Sequence, residues 1–253
     1  MELRATTTPD HGAAPDAVRC AGVRRRFGEG DAAVDAVDGV DLSFPSGELT
    51  SVVGPSGSGK STLMHVLAGL DRPTAGEVWI DGTEITGLDD GDLTRLRRDK
   101  LGFVFQFFNL VPVLDAAENI TLPLRIAGRD PDPEWLETLL ETVGIADRRH
   151  HRPAELSGGQ QQRVAIARAL ISKPAVVFAD EPSGNLDSTS SAHVLELLRR
   201  SVDELGRTVI MVTHDPRVAS YADRVVLLVD GKVSSDTQVE SESQVHELMQ
   251  VGA

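Results

Sequence analysis

Gly54-Pro55-Ser56-Gly57-Ser58-Gly59-Lys60-Ser61 constrains this chain more than any other stretch, because it fits the phosphate-binding pattern G-x-x-x-x-G-K-[ST] in a context that suits it. Residues 49–53 before it are a short β-branched, apolar run suited to a buried strand. Residues 62–68 after it read as a helix, stopped by Gly69 and then Pro73. A strand that feeds a glycine-rich turn into a helix aims several backbone N–H groups, and the positive end of the helix dipole, at one small volume. Glycines are expected there because a side chain would block the close approach of a phosphate. Lys60 is expected to reach the β- and γ-phosphates, and the Ser61 hydroxyl to ligate Mg²⁺. A flexible glycine-serine loop is the plain alternative, and the flanking strand and helix argue against it. A nucleoside triphosphate site is therefore expected at Gly54, Pro55, Ser56, Gly57, Ser58, Gly59, Lys60, Ser61 and Thr62.

With 253 residues, 40% of them hydrophobic and 25% charged, the chain has room for one large α/β domain, or for a core and a small subdomain. A formal net charge of -14 argues against a general nucleic-acid binder, which presents a basic surface. Arg24-Arg25-Arg26 is a small basic cluster, most simply a solvated strand edge. Cys20 is the single cysteine, so no internal disulfide forms and a reducing compartment fits. The first segment is polar, without a secretory pattern, and no apolar run approaches the ~18 residues of a membrane span. The expectation is a soluble chain whose link to any membrane goes through a partner.

Residues 1–16 are poor in large apolar groups, which predicts a disordered lead-in. Short strands broken by Gly and Pro turns follow. Phe27 lies in this β region and either stacks on a purine ring or packs in the core, and its sequence context leaves the two even. Residues 76–82 alternate apolar and polar and end in Asp81-Gly82, a hairpin signal. Residues 101–105 read as a buried strand with Gln106 at its carboxyl end, where ligands of open α/β sheets sit. The Gln106 amide could touch Mg²⁺ or an attacking water there, or be an ordinary surface glutamine. From about residue 107 to 160, helical spacing interrupted by five prolines predicts a helical insertion.

Ser157-Gly158-Gly159-Gln160 then opens a strong helix, with Ser157 suited to the N-cap and the glycines leaving backbone N–H groups open. An ordinary capped helix start accounts for these residues taken alone. A second helix end built for an anion is the functional alternative. Residues 175–179 are a continuous apolar run, as in a parallel strand buried on both faces, and lead into Asp180-Glu181. An acid at such a strand end is the usual second Mg²⁺ anchor, and Glu181 is free to act as general base on water. Residues 208–212 deliver His214 to another strand end, where γ-phosphate contact suits it. Residues 225–233 suggest a last hairpin, and 234–253 a polar, acidic tail with a short helix at 243–250.

Taken together, these residues resemble the nucleotide-binding subunits of ABC transporters over about residues 18–233. The specific marker is Leu156-Ser157-Gly158-Gly159-Gln160, which matches the family's signature, behind a P-loop in that order. The resemblance implies an α/β fold: a P-loop NTPase (RecA-like) core with an antiparallel β subdomain and an inserted helical subdomain, in an ATPase domain over 17–233. It implies ATP as ligand, with Phe27 stacking on adenine and Mg²⁺ held by Ser61, Gln106 and Asp180. Lys60, Gln106, Glu181 and His214 take the catalytic positions, and 183–187 match the D-loop.

The resemblance further implies a head-to-tail homodimer, each ATP lying between the P-loop of one copy and Ser157-Gly158-Gly159 of the other. Two phosphate cradles on one chain support that arrangement independently, since a two-fold interface pairs them reciprocally. It also implies an integral membrane permease subunit docked on the helical insertion at the cytoplasmic face of the membrane. Residues 105–112, 118–124 and 183–188 look like the branch of macrolide-exporter, lipoprotein-releasing and cell-division type ATPases, although Asp115 stands where threonine is frequent. Two other readings stay open. One is a regulatory ATPase that signals through a membrane partner. The other is a soluble ATPase acting on DNA or ribosomes, whose usual long coiled coil or second fused unit has no counterpart in this sequence.

Overall fold

The computed structural model describes residues 16–251. The predicted lead-in over 1–16 therefore lies, except for Asp16, outside the described residues. The described residues open with two long strands, β1 (Asp16–Phe27) and β2 (Val34–Pro45), and continue through β3 (Leu49–Val53) into α1 (Lys60–Leu67). Two strands, β4 (Ala75–Ile80) and β5 (Thr83–Glu84), precede α2 (Asp90–Lys100) and β6 (Leu101–Phe105). Asp81 and Gly82 both have positive φ, +47° and +75°, as the Asp-Gly hairpin signal requires. β1, β2, β4 and β5 form an antiparallel sheet in the order β2-β1-β4-β5.

Helices dominate the next stretch: α3 (Ala116–Ile126), α4 (Pro133–Thr142) and α5 (Gly158–Leu170). β7 (Val176–Asp180), α6 (Ser188–Asp203), β8 (Thr208–Val212) and the short α7 (Pro216–Ala219) follow, then β9 (Arg224–Val229), β10 (Lys232–Gln238) and α8 (Glu242–Val251). The second sheet has the order β10-β9-β3-β8-β7-β6. β6, β7, β8, β3 and β9 run parallel, and β10 is antiparallel to β9.

The parallel strands are buried on both faces, and their residues alternate between two cores. Val177, Ala179, Val209 and Met211 pack with α3, α4, α5 and α6. Val176, Phe178, Ile210 and Val212 pack with α1 and the antiparallel sheet. Burying both faces explains why these strands read as unbroken apolar runs instead of alternating ones. It also fixes the architecture as layers, with one sheet between helices on one side and α1 plus the other sheet on the opposite side.

Local chemistry sets the helix starts. Asp89, Asp115, Asp132, Ser157 and Asp187 each cap a helix by accepting backbone N–H bonds. Asp115 forms a full capping box with Glu118, so the departure from threonine at this position keeps a cap. The expected hairpin end at Val233 is exceeded: β10 runs on to Gln238, and α8 covers Glu242–Val251. That tail is folded because Val245 buries its side chain against Val53, Ala219, Val225 and Leu227.

The arginine cluster lies on β1, and each arginine has its own carboxylate: Arg24 with Asp38 at 2.6 Å, Arg25 with Asp71 at 2.7 Å and Arg26 with Asp35 at 2.6 Å. β1 is an interior strand paired with both β2 and β4, so the cluster is not at a sheet edge; its charges are taken up by neighbouring aspartates. Cys20 is buried, and burial pushes its thiol up to about 12, as for an unreactive apolar residue.

Candidate active site

The P-loop is enclosed by its own protein. A Cβ at Gly54 would collide with the Leu228 carbonyl oxygen of β9, and one at Gly59 with the Ala36 carbonyl oxygen of β2. Both obstacles are backbone, which cannot move aside, so these two glycines are dictated by the fold as well as by phosphate approach. Gly57, with φ +82° and open space around it, is demanded by backbone conformation alone in the free protein. The Asp230-Gly231 turn closes the other side, Gly231 N donating to Ser58 O at 3.0 Å. Gly59→Ala is expected to destabilise the chain by roughly 3 kcal/mol, by overpacking against backbone and by forcing alanine to φ +98°. A denaturant midpoint equal to wild type would refute this account of the loop.

Lys60 begins α1 and is only 8% exposed. Its ammonium donates to Gly54 O at 2.9 Å and Pro55 O at 2.8 Å, which holds it over the centre of the loop. Burial lowers its pKa, and the negative charges of Glu181 and Asp180 oppose that shift. Ser58 Oγ is buried without a hydrogen-bond partner. An orphaned hydroxyl inside an anion cradle is a group that a ligand oxygen would satisfy.

The strand order brings the carboxyl ends of β3, β8 and β7 side by side, and with them the P-loop, Asp180, Glu181 and His214. Ser61 Oγ donates to Asp180 Oδ1 at 3.3 Å. Glu181 has φ +46°, a left-handed backbone that a non-glycine residue adopts at some energetic penalty. Its carboxylate is held at both oxygens: His214 Nδ1 lies 2.6 Å from Oε1, and Thr213 Oγ1 donates to Oε2 at 3.3 Å. Glu181 and His214 line a cavity of about 360 Å³, together with Ser183, Thr213 and Tyr221.

Three of the expected site residues take other partners. The Gln106 amide, expected at the metal or the attacking water, donates to Asn185 Oδ1 at 3.2 Å, while Asn185 Nδ2 donates back to Gln106 O at 3.1 Å. Ser157 and Gln160 are engaged with each other in a capping box, Gln160 N donating to Ser157 Oγ at 3.3 Å and Ser157 N to Gln160 Oε1 at 2.8 Å. Among the described residues no hydrogen bond joins residues 157–160 to the P-loop. Gly159 packs tightly on α6, where a Cβ would come within 2.7 Å of Ser190 Oγ. Phe27 is 45% exposed, so it is not a core residue, and the Arg25 guanidinium lies 4.4 Å from its ring centroid.

Sequence reasoning missed Gln162. It is buried in α5, and its Nε2 donates to Pro182 O at 2.6 Å and Phe105 O at 3.3 Å. It thereby ties the loop after Glu181 to the strand end before Gln106. A polar residue among the apolar positions of a buried helix face was the available signal.

A hard cation suits the Ser61–Asp180 pair, since a hydroxyl and a carboxylate are oxygen donors. Burial raises the pKa of Asp180, partly offset by the charge of His65 and the Ser61 hydrogen bond, and a cation would stabilise that buried carboxylate. Among the described residues no cluster of three or more His, Cys, Asp or Glu could hold a metal. The Ser61–Asp180 oxygen pair suits Mg²⁺, which takes one or two protein oxygens and completes its shell with phosphate and water.

The ABC transporter family model matches residues 37–184. The macrolide export ATP-binding/permease protein of Marinobacter nauticus is 48% identical over 91% of this chain, which spans only 36% of that relative. The lipoprotein-releasing system ATP-binding protein of Geobacter metallireducens is 47% identical, over 83% of this chain and 94% of its own length. The ABC transporter ATP-binding protein MJ0796 of Methanocaldococcus jannaschii is 43% identical, over 88% of this chain and 97% of its own. A dimeric structure of MJ0796 in a post-hydrolysis state, bound to ADP and Pi, is similar at a TM-score of 0.80 and 41% identity, covering 88% of this chain.

Proposed function

The chain belongs to the ABC transporter family and is an ATP-hydrolysing cassette of mixed α/β fold; from that premise we propose that it hydrolyses ATP between two copies of itself and passes the closure to a membrane permease. One observation carries this reading. The P-loop, Lys60, Asp180, Glu181 and His214 meet at one set of strand ends, while Ser157-Gly158-Gly159 heads a separate helix with no bond to them. A second copy is what could bring that helix end to the same phosphate.

The roles follow from the contacts. Lys60 and the P-loop N–H groups hold the β- and γ-phosphates, and the exposed face of Phe27 receives adenine. Ser61 and Asp180 would hold Mg²⁺, which would supply charge neutralisation at the phosphate oxygens. Glu181 takes a proton from water as the water oxygen bonds to the γ-phosphorus and the bond to the bridging oxygen breaks, giving ADP and phosphate. His214 and Thr213 orient the Glu181 carboxylate. Gln106 reaches the metal or the water only by leaving Asn185. Loss of the γ-phosphate removes the link between copies, and the dimer opens.

The helical stretch after Gln106 is where we place the permease, on the same chain or another. Phe107, Val113 and Ile126 are large apolar side chains that remain exposed there. No helix among the described residues is long and apolar enough to cross a membrane. The chain would then sit at the cytoplasmic face through that partner, within the macrolide-export and lipoprotein-release branch. Hydrolysis by the purified chain is expected to show specific activity that rises with chain concentration. Specific activity independent of concentration, from a protein that stays monomeric with ATP, would overturn the dimer mechanism.

A further inference from the structure

The geometry points to Arg168 as a positioning residue that fixes the turn carrying Gln106, an inference that rests on the reading of Gln106 as part of the active site. After β6 ends at Phe105, the chain turns through Phe108 and Asn109 with φ of +62° and +50°. Two consecutive non-glycine residues in the left-handed region are unusual, and a bulky aromatic there more so. Such a turn persists only when its surroundings over-determine it.

The turn has its own backbone bonds, Phe108 N to Phe105 O at 3.2 Å and Asn109 N to Phe107 O at 2.6 Å, and one side chain holds both of its left-handed residues from outside. Arg168 of α5 donates through Nη2 to Phe108 O at 2.8 Å and through Nη1 to Asn109 O at 2.6 Å. Among the described residues no carboxylate pairs with Arg168. Burial lowers its pKa, with no opposing charge. A guanidinium taken out of water without a counter-ion is unfavourable unless its donors are used, and the two carbonyls of the strained turn use them. α5 is also seated on β6 so closely that a Cβ at Gly102 would collide with the Ala169 carbonyl oxygen, which places Arg168 beside the turn. Six residues earlier on the same helix, Gln162 holds Phe105 O.

α5 therefore grips the segment 105–109 at both ends. It is also the helix whose first residues are assigned to the second copy's ATP. A shift of α5 on dimer closure would move Gln106 through these bonds. Arg168 touches neither substrate nor metal and acts through the turn.

The test uses the full chain with Arg168→Gln, Arg168→Lys, Asn109→Gly, each Arg168 variant combined with Asn109→Gly, and Gln106→Ala. The readouts are kcat, KM for ATP, the Mg²⁺ concentration for half-maximal rate, and Tm. Arg168→Gln is expected to lower kcat by about tenfold to a hundredfold through misplacement of the turn, with KM for ATP within about twofold and a higher Mg²⁺ requirement. Arg168→Lys is expected to fall between, because lysine keeps the charge without the two-pronged fork. Glycine adopts positive φ freely, so Asn109→Gly should restore a large part of the lost kcat in either Arg168 background.

A folded Arg168→Gln with wild-type kcat and Mg²⁺ dependence overturns the proposal. So does a loss that follows Tm and is not rescued by Asn109→Gly. Should Arg168→Gln not fold, the Arg168→Lys series decides: full kcat and Mg²⁺ dependence in Arg168→Lys, or a loss that Asn109→Gly leaves unrescued, overturns it equally. Gln106→Ala separates the two layers. Unchanged kcat and Mg²⁺ dependence there refutes the role of Gln106 itself. An impaired Gln106→Ala beside normal Arg168 variants refutes only the positioning role.

Discussion

Glu181→Gln is expected to lower kcat by about 10²–10⁴-fold, the range for removal of a positioned general base. Glutamine has the size and shape of glutamate and keeps one oxygen to accept from His214 Nδ1, while its amide nitrogen can donate to Thr213 Oγ1; these two groups hold the carboxylate at 2.6 Å and 3.3 Å. What disappears is the ability to take a proton. The P-loop is untouched, so ATP affinity stays within about threefold of wild type, as for an interaction made only in the transition state. With bound ATP no longer cleaved, the variant is expected to accumulate as an ATP-dependent dimer in light scattering. A second replacement separates chemistry from backbone strain. Glu181→Gly should relieve the left-handed φ of +46°, raise Tm, and lose turnover. Full ATPase activity in Glu181→Gln would remove Glu181 as the base.

Ser157→Asp gives the other large effect and isolates the role of the second helix end. Ser157 caps α5, so most replacements there would confuse a lost cap with a lost phosphate contact. Aspartate caps as well as serine, so the folded chain should keep its stability to within about 0.5 kcal/mol. Placed against the γ-phosphate of the second copy's ATP, however, a carboxylate sets like charge on like charge with little water between them. Hydrolysis is expected to fall by at least about a hundredfold, equivalent to about 2.7 kcal/mol. ATP binding to the single chain should be unaffected, because the P-loop supplies it. Ser157→Ala serves as the converse control, losing about 1 kcal/mol of cap without the repulsion. If Ser157→Asp hydrolyses ATP normally, that helix end receives no phosphate and the dimer mechanism fails. If the single chain loses ATP binding, the cross-dimer role fails instead.

What the sequence by itself determined was everything written in consecutive residues. The strand, glycine turn and helix around Lys60 were legible because each has a local signature. The parallel strands were legible because burial on both faces leaves an unbroken apolar run, and Asp180, Glu181 and His214 because they follow such runs directly. The cap at Ser157 was equally local, whereas the cap at Asp115 came only from the structure.

The tertiary structure alone decided the contacts between distant segments. It set Glu181 against His214 and gave each arginine of the cluster its own aspartate. It also left Phe27 outside the core, and folded the tail by burying Val245. It turned Gln106 toward Asn185, and it made Gly54 and Gly59 answer to the carbonyls of Leu228 and Ala36. The partners of Gln162 and Arg168 had no local signature, because they are carbonyl groups, which every residue carries; for Gln162 the pattern marked only a polar side chain on a buried helix face. Periodicity encodes which face of an element is buried. Which backbone lies across from that face is set by crossovers between parallel strands, and no local pattern records it.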